Sequence, residues 1–183
     1  GTEHLRIIDR KTTLRADTIV NFNDAKDGLY GIRLAHALQI PDNKDREFKD
    51  DKGNVTIVKG EKDAIANGNY LTSEGKTGND AWSTRGRWCK VYGKMGNDSI
   101  SVAIIDHPGN PNYPTFWHAR GYGLFAANPL GEKIFTNGKS SKNLQLLKGE
   151  SVTFRFRIVI DDENKTLSVE KLNELADEFA KEQ

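Results

Sequence analysis

The sequence predicts a mainly β fold, an antiparallel sandwich of two packed sheets with one helix at its C-terminal end. Short apolar–polar alternations recur along the chain, separated by turn-forming steps among 17 glycines. That is the pattern of many short strands. Only near the end does the period change, where Leu172, Leu175, Ala176 and Phe179 follow helical spacing. At 183 residues the chain is long enough for one domain with a substantial core, and no repeat or linker divides residues 1–183.

Residues 13–22 alternate, with Leu14, Ala16, Thr18, Val20 and Phe22 on one side. Residues 30–40 read as a strand turning Ile32, Leu34, His36 and Leu38 inward, which makes His36 a core histidine. The charged stretch 42–53 is a loop or hairpin connection, and 55–58 is a short strand. Residues 67–80, rich in Gly, Asn, Ser and Thr, form a long irregular excursion. Strands at 87–92 and 99–106 make a hairpin across Gly93 to Asp98. Further strands follow at 117–125, 143–147 and 151–160. The last is the clearest, with Phe154, Phe156, Ile158 and Ile160 facing inward and Arg155 and Arg157 outward. The helix is expected over 168–182, with Ser168 as its N-cap.

Composition removes several function classes. A net charge of +1 gives no electrostatic footprint for nucleic acid. No apolar run approaches the ~20 residues of a spanning helix. One cysteine, Cys89, excludes an internal disulfide and a zinc–thiolate cluster. No nucleophile elbow, phosphate loop, zincin or dinucleotide motif is present.

Residues 106–124 concentrate the chemistry, holding three of the five prolines and two of the four histidines. Proline rules out regular structure in the first half, and rigid loops are where scaffolds present reactive groups. If 117–124 is extended, His118, Arg120 and Tyr122 share a face, about 7 Å apart between alternate residues. His118 could then move a proton, Arg120 clamp a carboxylate or hydroxyl pair, and Tyr122 donate to or stack on a sugar. Asp106 is either a catalytic carboxylate or a cap on the loop's amides. His107 is either a second proton carrier or a loop anchor. No cofactor is predicted; a metal at His107 and His118, with Asp106 as third ligand, is the lesser alternative. Arg85 and Arg87, with Trp88 on the opposite side, join Arg33, Arg120, Arg155 and Arg157 on the non-core side of several strands. Neighbouring strands would then offer a cationic face for a carboxylate-bearing or polyhydroxylated ligand. The plain alternative pairs each arginine with a surface carboxylate. Trp117 or Trp88 would be the stacking platform if exposed.

Several segments carry a resemblance: Arg6 to Arg10, Asp24 to Arg33, Asp106 to Pro111, Trp117 to Gly131, and Arg155-Phe156-Arg157. They resemble a bacterial family of unassigned function labelled "methane oxygenase PmoA", over the chain to about residue 160. The resemblance implies further β-rich sequence upstream of this chain, a place in carbohydrate metabolism and, by analogy of fold, a mutarotase-like supersandwich. Its motif positions fall on His107, Asn110, His118, Arg120, Tyr122 and Asn128, with Lys26 and Arg33 from the upstream segment. The leading expectation is a soluble protein that binds or cleaves a sugar or glycan fragment, with His118 as general acid or base and Arg120 and Arg33 orienting the substrate. A non-catalytic glycan-binding or assembly module is one alternative. A metal-dependent oxygenase, as the label says, is another. The expected partner is a carbohydrate, with oligomeric state open. Gly1 reads as a trimmed start, and a periplasmic or secreted location is expected.

Overall fold

Alternation along the chain produces twelve strands in the computed structural model, which describes residues 2–42, 44–59, 63–163 and 166–182. They are β1 (Leu5–Arg15), β2 (Val20–Phe22), β3 (Tyr30–Arg33), β4 (Arg46–Lys49), β5 (Val55–Val58), β6 (Asn69–Thr72), β7 (Trp88–Met95), β8 (Asp98–Asp106), β9 (Phe116–Ala119), β10 (Leu124–Asn128), β11 (Leu144–Leu146) and β12 (Ser151–Asp161). One helix, α1 (Val169–Phe179), follows. The main sheet has the order β1-β12-β8-β7-β6, and a three-stranded sheet has the order β3-β10-β9. Two small ribbons, β11-β2 and β4-β5, complete the set, and the pairings are antiparallel.

The core lies between the two larger sheets. Phe154, Phe156 and Ile158 of β12 enter it beside Cys89, Val91, Val102 and Ile104, and meet Trp117, Phe125 and Ala127 of the smaller sheet. The opposite face of the main sheet is not solvated. Trp88, Ala103, Ile105 and Val159 there pack against Leu172, Leu175, Ala176 and Phe179 of α1. The molecule thus has three layers, sheet, sheet and helix. Burial on both faces explains why β8 is apolar at consecutive positions, Val102 to Ile105. Ser168 caps α1 as expected, its hydroxyl accepting from the Lys171 amide at 3.1 Å.

Several sequence expectations need correction. Residues 13–22 are two strands, because β1 ends at Arg15 and the chain turns at Ala16, which pairs with Glu150. β3 stops at Arg33, and a 3-10 turn over His36–Leu38 follows. The turn rotates His36 outward, so it is an exposed residue and not a core one. The 42–53 stretch contains β4, its Asn43 lying outside the described residues, and 67–80 contains the edge strand β6. Most consequential, 117–125 is a hairpin. β9 and β10 are joined by a turn from Arg120 to Gly123, whose φ of +87° is open to glycine and costly for other residues.

Candidate functional site

The β9–β10 turn opens onto a groove of about 950 Å³. Its lining comes from separate segments: His36, Gln39 and Ile40 after β3, Asp42 and Lys44 before β4, Asp63, Asn79 and Trp82, and Arg120 to Tyr122 of the turn. Main-chain bonds lock the segments together, the Ile40 amide donating to Gly121 and the Leu34 amide to Gly123. On one wall the Arg120 guanidinium carbon lies 5.2 Å from the Trp82 ring centre and 5.7 Å from that of Tyr122. Arg33 stacks on the same Tyr122 ring at 5.8 Å. The result is a stack in the order Trp82, Arg120, Tyr122, Arg33, with Tyr122 54% exposed. At the rim, His36 Nε2 lies 2.7 Å from Asp63 Oδ2. The other Asp63 oxygen accepts the Ala66 and Ile65 amides at 3.0 Å. Those amides, together with His36, hold the Asp63 carboxyl below its ordinary range.

Other sequence-predicted residues lie elsewhere. Asp106 is buried at the end of β8, accepting Asn110 Nδ2 at 2.7 Å and the Thr115 amide at 2.8 Å. Burial outweighs these bonds and raises its pKa to about 7. Asn110 also acts as a substitute strand residue, accepting from the Arg155 amide at 2.7 Å and donating to the Arg155 carbonyl at 2.6 Å. The Gly109 amide donates to His107 Nδ1 at 2.9 Å, so the ring proton sits on Nε2 and goes to the Glu182 carbonyl at 3.0 Å. His107 anchors the end of the C-terminal helix segment, its ring edge-on to Phe179.

His118 does not share a face with Arg120 and Tyr122, because the hairpin turn intervenes. It is 3% exposed and its Nδ1 donates to the Lys26 carbonyl at 2.8 Å. Asn128, fully buried, donates to the Ala25 and Lys26 carbonyls at 2.8 Å each and accepts from Leu130. Lys26 therefore contributes its main chain to this knot. Gly28 passes so close to the Asn128 side chain that any Cβ would collide with it. The two histidines share no partner. Among the described residues, no three His, Cys, Asp or Glu side chains group so as to hold a metal ion.

The expected cationic face is also corrected, since α1 covers much of it. Arg157 forks onto Asp9 at 2.7 and 2.8 Å, reaches Glu182 at 2.6 Å and stacks on Phe179. Arg87 meets Asp177 of α1 at 2.6 Å. Arg85 pins the proline loop through the Pro114 and Asn112 carbonyls and lies over Phe116. Trp88 and Trp117 are fully buried, which excludes them as platforms; Trp88 Nε1 donates to Asn173.

Residues 1–177 match a family described as "Family of unknown function (DUF6807)". The chain belongs to this family. Nothing in that description ties it to the methane-oxygenase label. No curated protein and no solved structure matches the chain. Among the described residues of this family member, no helix is long and apolar enough to cross a membrane.

Arg120 and Tyr122 are thus the predicted residues that line the groove, and Arg33 is joined to them through the Tyr122 ring. Sequence reasoning missed Trp82, Gln39, Asn79 and the His36–Asp63 pair. The signal available was Gly121-Tyr122-Gly123, whose two glycines mark a turn and would have cut the proposed strand after Ala119.

Proposed function

We propose that this family member binds a sugar in the groove beside the β9–β10 turn. The observation that carries the reading is the Trp82–Arg120–Tyr122 stack on the groove wall, with Arg33 over the same Tyr122 ring. A pyranose presents a C–H face that suits an aromatic ring and hydroxyl pairs that suit a planar fork of N–H donors. Arg120 offers such a fork, and the side-chain amides of Gln39 and Asn79 add donors and acceptors along the same groove. The volume of about 950 Å³ suits a ligand larger than one monosaccharide. His36 at the rim is oriented by Asp63 in the manner of a proton-transfer pair, and can exchange a proton with a bound hydroxyl. It replaces His118 as the proposed acid–base group, since the Nδ1 of His118 is committed to a main-chain carbonyl.

Saturation-transfer NMR with a panel of oligosaccharides tests the reading. A Trp82→Ala, Tyr122→Ala double variant should bind the selected sugar at least about tenfold more weakly, since stacking contacts are worth roughly 1 kcal/mol each. Its melting temperature should stay near that of the parent, because Tyr122 is exposed and Trp82 only partly buried. Unchanged sugar affinity in that variant sinks the proposal.

A further inference from the structure

Resting on the sugar reading, we infer that the ligand of this groove is an acidic sugar, a uronate whose carboxylate seats on the N–H edge of Arg120. The arginines elsewhere show what this chain does with a guanidinium when a carboxylate is at hand. Arg6 pairs with Asp162, Arg87 with Asp177, and Arg157 with Asp9 and Glu182. Among the described residues neither Arg120 nor Arg33 makes an ion pair, and their side-chain partners are aromatic rings. Arg10, Arg15 and Arg155 show no such pair among the described residues either, and Arg120 and Arg33 are set apart by the rings they lie on. The carboxylates that line the same groove do not reach Arg120; Asp63 is held by His36 and by the Ile65 and Ala66 amides.

Flanking rings do more than hold the arginine. Trp82 and Tyr122 flank the guanidinium, and among the described residues its hydrogen-bonding edge has no acceptor. A planar fork prepared in this way loses little freedom on binding and matches the two oxygens of a carboxylate. The second cation on the Tyr122 ring adds to the demand. Two like charges around one aromatic ring repel, and an arriving anion offsets that repulsion. Neutral hydroxyls satisfy the donors but leave the charge standing, so the anionic sugar is the better complement.

Methyl glucuronide and methyl galacturonide are each titrated against their neutral methyl esters by ¹⁵N NMR, following the Arg120 Nε–H resonance. The acid should bind at least about tenfold more tightly than its ester, the usual size for a charge-assisted hydrogen bond. Arg120→Gln should erase that preference, so that acid and ester bind the variant with equal affinity. Equal binding of acid and ester, with both shifting groove resonances, overturns the acidic-sugar inference and leaves the sugar reading intact. Failure of both acids and both esters to bind overturns the acidic-sugar inference, and the oligosaccharide panel then decides the sugar reading by itself. A preference for acid that persists in Arg120→Gln places the carboxylate elsewhere and also overturns the inference.

Discussion

Asp106 sits where burial and hydrogen bonding pull in opposite directions. Removal from water disfavours its charge, while Asn110 and the Thr115 amide favour it, and burial prevails. Its pKa rises from the ordinary 3.8 to about 7. Below about pH 4 the carboxyl is protonated in both folded and unfolded chains, and its contribution to stability is fully present. Between there and about pH 7 the unfolded chain ionises first, so stability falls as pH rises through the window. The loss is on the order of 4 kcal/mol at most. Urea unfolding at several pH values should show that slope in the parent, and Asp106→Asn should remove it. A parent curve that is flat or rises with pH contradicts the raised pKa. The sequence pointed at Asp106, His107, Asn110, His118 and Asn128 as unusual residues, and each is buried and tied by its side chain to another segment or loop. Its limit was the partner. A histidine aimed at a main-chain carbonyl ninety residues away looks, in one dimension, like a histidine aimed at a substrate.

Elements were legible where a single period governed them. β12 and α1 read correctly because each carries a regular apolar repeat, and β7–β8 read as a hairpin across its turn. Reading failed where a short turn interrupted an alternation without changing its polarity, as at Ala16 and at Gly121–Gly123. The helix layer was seen as a stripe able to lie against a sheet, but not which side of the sheet it covers. That side is the one carrying Arg87 and Arg157, and the outward arginines therefore became ties for α1. Because α1 covers Trp88, Ala103, Ile105 and Val159, removing it uncovers an apolar sheet face. A chain ending at 166 should self-associate, as light scattering after size exclusion would record, while the full chain at the same concentration gives a smaller particle. Equal particle sizes would show that the helix layer is dispensable. A milder lesion at the same layer, Arg157→Ala, strips the partner from Asp9 and Glu182. It should cost about 2 kcal/mol in urea unfolding, reduced from the fully buried case because both carboxylates are half-exposed.

At the scale of the whole molecule, the three layers carry stability and the groove is assembled beside them from loops. Its residues are drawn from sequence positions between 36 and 122, which no local pattern joins. The β4–β5 ribbon springs from the same region, between Lys44 and Asp63, and among the described residues pairs with no other strand. Phe48, Val55 and Ile57 on it are half-exposed or more and belong to neither core cluster. The ribbon therefore adds little to folding, yet its roots, Asp42, Lys44 and Asp63, form part of the groove. Arg46 and Val58 face each other across the ribbon, so residues 46–58 can be replaced by Gly-Gly without stretching the chain. The shortened protein should melt within about 5 °C of the parent, as expected when exposed residues are lost. Sugar affinity should nonetheless fall severalfold, because the roots lose the register that the ribbon imposes on them. A large drop in melting temperature would show that the ribbon packs on the core. Unchanged affinity would show that the groove closes on its ligand without help from this side.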